Sequence, residues 1–400
     1  MAGLSLGVGL SPKVGLSDGV GLGSGQLDGA AGAANFQNTF TSALPADWTF
    51  TRTGNQTYED VNEVLQTETN DDVAVHTYDG GVAQGVLLED ARTNLCLYSE
   101  DTSNAAWVAS NMTKGSTSTT TPAGDSSTTV ELTASAANGT LLQTVTSASD
   151  NYVYSVFLQR KTGTGNVDIT VDGGTTWTTK TLTGAWTRFD VTDASETNPQ
   201  VGIRIVTSGD AVNFWGSMLE KDADFPSSYI KTTTASATRN VTSLTRSWDF
   251  PANGISGQIK VRPQFDTGEA PASAKYFLTL VAGTDWQNRL SVEQAATTGA
   301  VYLRKYVGGT PATTTVSAET WSAGDLVNIR FRADSDGIHL WVNSEAKISQ
   351  TSGIAPDDWT TLMDNIKSGN ETGNNRTFQA VESLKIWNEA KSDAFLSALT

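Results

Sequence analysis

The sequence predicts an all-β protein: two β-sandwich (jelly-roll) domains in tandem behind a Gly-rich hexapeptide-repeat N-terminal anchor. Three observations predict it. Only 17% of the 400 residues are charged and 37 are Gly, while Met occurs 4 times, so helix-favouring residues are scarce beside turn formers and β-branched residues. Short runs of alternating apolar and polar residues recur between Asp-Gly and Asn-Gly turns, the pattern of half-buried strands. The opening residues keep a six-residue period that fits no helix.

That period defines a first segment, residues 1–34. Leu4, Leu10, Leu16 and Leu22 recur in phase, as do Val8, Val14 and Val20. Within each Val-Gly-Leu the two apolar side chains lie two apart, so an extended chain puts them on one face. A lone strip has no opposite wall for them. A Gly-rich linker would show few apolar residues and no fixed phase, so the segment is expected to wind with copies of itself or dock on a larger assembly. Six-residue units suit a three-sided β-prism, which makes a homotrimer the preferred oligomer. Residues 28–34, rich in Ala and Gly, read as a hinge.

Residues 35–94 read as a connecting β module, with a strand-like alternation at Trp48 to Arg52 and turns at Asp71-Asp72 and Asp79-Gly80-Gly81. Residues 95–239 form the first expected sandwich. Its strand-like runs include Leu95 to Tyr98, Leu141 to Val145, Tyr152 to Gln159 and Val212 to Leu219, separated by turns such as Asn138-Gly139 and Asp172-Gly173-Gly174. In Tyr152 to Leu158 both faces are apolar, as in a strand between a core and a second packed surface. Residues 240–400 repeat the pattern as a second sandwich. There Leu326 to Arg332 alternates, Asp334 to Gly337 turns, and Ile338 to Asn343 returns.

Composition narrows the function. With 26 Lys+Arg against 43 Asp+Glu the formal charge is −17, which disfavours nucleic acid and anionic membrane surfaces as partners. One cysteine, Cys96, excludes an internal disulfide framework and a Cys-rich metal site. His76 and His339 stand far apart, leaving little for His-based chemistry. No run approaches the ~18 apolar residues of a membrane span, and the start Met1 to Lys13 lacks the basic and apolar regions of a secretory signal. The acidic residues cluster in turns, Glu59-Asp60 and Glu89-Asp90 among them, and read as solvated. No Glu-x-Asp-x-x-Glu strand, Gly-x-Ser-x-Gly elbow or P-loop occurs. No enzyme, catalytic residue, metal or cofactor is therefore expected; Asp334 and Asp336 read as turn formers rather than calcium ligands, and His339 as a solvent-face strand residue.

Several segments carry a family resemblance. Gly85-Val86-Leu87-Leu88-Glu89-Asp90-Ala91-Arg92-Thr93-Asn94-Leu95, then Leu97-Tyr98-Ser99-Glu100 and Ala105-Ala106-Trp107, resemble a signature of tailed-bacteriophage head-spike, head-fibre and tail-fibre proteins. Phe50-Thr51-Arg52 and Tyr58 to Leu65 resemble the stretch that precedes it. Phe214-Trp215-Gly216-Ser217-Met218-Leu219-Glu220, Phe225 to Ile230 and Thr238-Arg239 resemble the end of the carbohydrate-binding-type jelly roll in the same proteins. The hairpin Asp334 to Asn343 and the chain end Leu384 to Leu396 are similar to laminin-G or concanavalin-like sandwiches, with Ser344 where that family carries Gly.

The resemblance implies a virion structural protein, assembled in a bacterial cytoplasm, that binds host-surface glycans and attaches to capsid or tail proteins. Trp107, Trp215, Trp341 and Trp387 lie in family-matching segments and are expected in cores. Trp177, after a Gly-Gly turn, and Trp286, in a polar loop, are the candidate sugar-stacking platforms. The rival readings keep the architecture: a glycan-degrading tailspike depolymerase, or a ligand-free capsid decoration protein.

Overall fold

The computed structural model describes residues 36–125, 130–248, 254–267, 274–282, 285–296, 300–316, 319–351, 365–367 and 379–400. The anchor residues Leu4, Val8, Leu10, Val14, Leu16, Val20 and Leu22 lie outside them. The described chain is nearly all antiparallel β, with one short helix, Asp393–Ser397, capped where Ser392 Oγ accepts the Phe395 N–H at 3.2 Å. Among the described residues no helix is long and apolar enough to cross a membrane.

Residues 95–221 build a jelly roll of two sheets, each with five described strands. One runs in the order Thr187–Glu196, Asp150–Thr162, Ala211–Lys221, Val130–Ala134, Met112–Ser116. The other runs Thr178–Lys180, Val167–Thr170, Gln200–Ile205, Gly139–Thr144, Val108–Ser110. The alternate residues Tyr152, Tyr154, Val156 and Leu158 face Ile169, Ile203 and Leu141 in the core between them.

A second sandwich packs a sheet with eight described strands on one with seven. Its larger sheet takes Val327–Asp334, Ile255–Pro263 and Gln379–Trp387 from the C-terminal part of the chain. Val82–Leu88, His76–Asp79 and Phe36–Thr39 come from the N-terminal part. Thr49–Thr51 likewise joins the smaller sheet beside Ser243–Ser247. The sequence assigned residues 35–94 to a connecting module; in the structure most of their strands complete the C-terminal sandwich, and the jelly roll is threaded between two parts of it. The reason is physical. Strands of three to seven residues cannot bury a core of their own, and their partners lie far along the chain, as in the pair Phe36↔Ile386.

Other departures from the sequence reading are local. Leu95 to Tyr98 leaves the sheet: Asn94 Nδ2 donates to the Ser217 and Ile230 carbonyls at 3.0 and 2.7 Å, and its Oδ1 accepts from the Cys96 and Leu219 N–H groups. Tyr98 follows at φ 50°. His339 is buried rather than solvent-facing, because the C-terminal helix and its flanks cover that face of the sheet. Its Nδ1 pairs with Ser349 Oγ at 2.7 Å, and burial with nearby Arg332 holds the imidazole below the usual histidine range. Asp334 is held by Arg332 at 2.8 Å and accepts the Asp336 N–H, the turn role expected of it. The four tryptophans expected in cores, Trp107, Trp215, Trp341 and Trp387, are all buried.

One irregularity shapes the outer face of the jelly roll. In Ala211–Lys221, Val212 and Phe214 face the jelly-roll core while Trp215 points away. Strict alternation would then turn Met218 inward. Gly216 instead adopts φ +65° and the register against Asp150–Thr162 slips between Ser155 and Phe157, a bulge with one extra residue. Met218 therefore joins Trp215 on the outer face and Leu219 returns to the core. A Cβ at position 216 would stand 3.0 Å from the Phe157 ring. With Phe157, Tyr229 and Ile230, the two outward residues form a satellite cluster between the sandwiches.

Candidate functional site

The family-like segments meet at the joint between the sandwiches. Glu89 and Arg239 are both fully buried and pair at 3.0 Å. Glu89 also accepts from Gln56 Nε2 at 2.7 Å and from Ser228 N and Oγ at 3.1 and 2.9 Å. Arg239 also donates through Nη1 to the Ser228 carbonyl and through Nη2 to the Asp90 carbonyl, while its Nε has no partner among the described residues. Beside them the buried Glu220 accepts from Ser227 N and Oγ, and Lys275 reaches Asp90 at 3.1 Å. Burying so many charges is tolerable only because nearly every lone pair is met. The signature residues thus serve first as a polar weld that ties Glu89 and Asp90 of the second sandwich to the segment leaving the first.

Next to this weld lies a cavity of about 280 Å³, near the lower size limit of small-ligand sites. The hairpin Gln56–Glu59/Leu65–Glu68 supplies Thr57, Tyr58, Glu59 and Leu65, and strand His76–Asp79 supplies Tyr78. The jelly roll supplies Phe157 and Arg188, and the returning segment supplies Pro226, Ser228 and Tyr229. The hairpin is set by Asp60, whose carboxylate accepts the Asn62 and Val64 N–H groups at 2.8 and 3.1 Å and lets Glu63 turn at φ 60°. Tyr229 is anchored: its hydroxyl pairs with Ser99 Oγ at 2.7 Å and Glu100 at 3.1 Å, and its ring lies 4.9 Å from Trp215.

Electrostatics make the cavity distinctive. Arg188 donates through Nη1 to the Ser227 carbonyl at 2.6 Å and through Nη2 to Ser155 Oγ at 2.9 Å, and its guanidinium lies 5.6 Å from the Phe157 centroid. Glu59 touches solvent, yet it sits in a concave wall with protein on most sides. That loss of surrounding water, with Glu63 and Asp79 nearby, outweighs the attraction of Arg188 and holds its carboxyl above the usual glutamate range. A carboxyl whose folded-state pKa is raised costs stability where it is ionised. The cost is absent below the unfolded value of 4.5 and grows as pH rises through the folded value. Glu59→Gln should therefore melt at or above the wild-type temperature at neutral pH, with the difference closing toward acid; a lower Tm at neutral pH would contradict this.

The sequence-derived platforms stand elsewhere. Trp177 is half-buried at the far edge of the jelly roll, with the Arg204 guanidinium 4.6 Å over its ring and Asp168 fixing that arginine at 2.6 Å. It also lies against Gly174, where a Cβ would come within 2.6 Å of the indole. Gly174 has φ +92°, so Gly174→Ala should destabilise the chain by about 1–3 kcal/mol in chemical denaturation. Trp286 lies in the strand Asp285–Gln294, and its side chain is outside the described residues. Trp177 is not among the residues that line the cavity. Sequence reasoning missed Tyr58, Glu59, Tyr78 and Arg188; Glu59 was read as a solvated turn residue, and only the resemblance around Tyr58 marked the stretch. Among the described residues no cluster of His, Cys, Asp and Glu is arranged to hold a metal ion.

Comparison with known proteins gives little further. No protein-family profile matches the chain, and no curated protein sequence does. Among solved structures it is similar to the NanB sialidase of Streptococcus pneumoniae, at 15% identity and TM-score 0.32, over 38% of this chain and 24% of that one. It is also similar to the botulinum neurotoxin serotype D binding domain, at 11% identity and TM-score 0.31, over 39% of this chain and 38% of that one. The serotype G binding domain matches at 10% identity and TM-score 0.31, over 39% of each chain. The chain thus spans about a quarter of the sialidase and about two fifths of the toxin domains. Neither likeness reaches a shared fold over the whole chain, and neither informs the ligand.

Proposed function

We propose that this chain is a virion structural protein of a tailed bacteriophage, a head or tail spike or fibre that presents β-sandwiches for adhesion to host-surface glycans. The cavity at the joint carries the glycan reading. Half-buried Tyr58 and Tyr78 and the exposed Glu59 line it, aromatic rings being the groups that stack on sugar C–H faces and carboxylates the groups that accept sugar hydroxyls. The resemblance of residues 50–107 and 214–239 to phage spike and fibre proteins supports the virion setting. The hexad segment would fasten the chain to capsid or tail and to sister chains, with a trimer preferred. One shallow site binds weakly; several on one particle gain strength through multivalency, by about 10²–10⁴.

Glu59 also favours a second reading, a depolymerase with this carboxyl as general acid. One experiment separates the two. Incubating the purified chain with host capsule or lipopolysaccharide should give retention on the glycan with no new reducing ends; released oligosaccharides would overturn the adhesin in favour of the enzyme. Light scattering tests the anchor: the full chain should be trimeric and a chain starting at Asn35 monomeric, and equal masses would sink the self-association proposal.

A further inference from the structure

We infer that the cavity at the joint takes an uncharged sugar ring and excludes carboxylated sugars, an inference that rests on the glycan-binding reading above.

The charges around the cavity carry it. Arg188 is the cation on the wall, but its donors are turned to the protein: Nη1 to the Ser227 carbonyl, Nη2 to Ser155 Oγ and Met218 Sδ. Its Nε is sealed from solvent, so a ligand carboxylate could approach this guanidinium only through its partly exposed edge. Glu220, Asp190 and Glu89 all act on this guanidinium, and Glu59 on the accessible wall is also within its reach, so carboxylates of the protein already share its positive charge. Of the other arginines at the joint, Arg239 is fully buried against Glu89 and Arg92 stands 3.7 Å from the buried Glu220.

Facing the opening, the charge is negative. Glu59 lies on the accessible wall, and Glu63 and Asp79 are close enough to act on its carboxyl. Glu63 is oriented by the Gly80 N–H at 3.1 Å, which keeps its charge at the tip of the same hairpin. An incoming uronate or sialate therefore meets like charge from three exposed carboxylates beside a concave wall, a repulsion that added salt screens. A neutral ring meets none. Its vicinal hydroxyls can donate in parallel to the two oxygens of Glu59, a charge-assisted pair, while Tyr58 and Tyr78 cover its C–H face.

The test is calorimetric titration of the full chain, wild type and Glu59→Gln, with a neutral gluco-oligosaccharide and a glucuronate oligosaccharide of equal length. Wild type should favour the neutral sugar by about tenfold or more, and the preference should shrink at about 1 M salt, where the screening length falls to a few ångströms. Glu59→Gln should hold the neutral sugar less tightly and lose most of the discrimination. Wild type binding the uronate as tightly as the neutral sugar would overturn the inference while leaving glycan binding intact. So would a preference unchanged in Glu59→Gln. Silence toward both sugars at about 10 mM would remove the glycan reading and this inference with it.

Discussion

Arg239→Ala should cost about 3–5 kcal/mol of stability, because it leaves the Glu89 carboxylate buried without its cation. The partner loses more than the 3.0 Å ion pair: Arg239 also holds the Asp90 carbonyl and Ser228, so the segment that closes the jelly roll is released from the second sandwich. Removing both charges tests the cause. Glu89→Gln with Arg239→Met should recover much of the loss, since no unpaired ion remains. Urea denaturation of wild type and the two variants decides it; a loss below about 1 kcal/mol for Arg239→Ala would mean that the weld does not couple the sandwiches.

Trp215→Ala should be comparably severe, about 3–5 kcal/mol, the usual range for deleting a buried aromatic. Trp215 is 2% exposed and packs on Phe157 and Tyr229 at centroid distances of 5.4 and 4.9 Å. Both of those rings line the cavity, so the variant should lose sugar affinity even where it remains folded. Trp215→Phe fills most of the hole and should restore stability more fully than binding. Unchanged affinity in a folded Trp215→Ala would detach the satellite cluster from the site.

Both predictions turn on residues whose importance the sequence carried only as resemblance. The fold class was legible because alternation is local: Tyr152 to Leu158 declares two apolar faces, and the structure puts a core on one and the Trp215 cluster on the other. The chain end was legible by resemblance instead: the segment Leu384 to Leu396 forms the end of strand Gln379–Trp387 and most of the helix Asp393–Ser397. What local pattern does not encode is pairing across the chain. Phe36–Thr39 gives no sign that it will lie on residues 383–386, and Glu89 looks like any turn carboxylate until Arg239 closes on it from 150 positions away. The bulge at Gly216 is equally silent, since a Gly between Trp and Ser reads as a weak strand position.

The candidate site failed to appear for a related reason. Sugar platforms were sought as exposed tryptophans, which singled out Trp177 and Trp286; in the structure Trp177 is half-buried, with the Arg204 guanidinium over its ring. The cavity is instead built from tyrosines on short strands and one hairpin glutamate, residues unremarkable one at a time. Only the joint between the sandwiches brings them together.

The central claim, that the cavity is where this chain meets glycans, is tested most directly by titrating one host-derived oligosaccharide against three proteins: wild type, Tyr58→Ala/Tyr78→Ala and Trp177→Ala. The account predicts that the tyrosine pair abolishes binding with little change in Tm, while Trp177→Ala binds as wild type does. Binding that survives the loss of both tyrosines and disappears with Trp177 would place the glycan at the edge of the jelly roll and contradict the account.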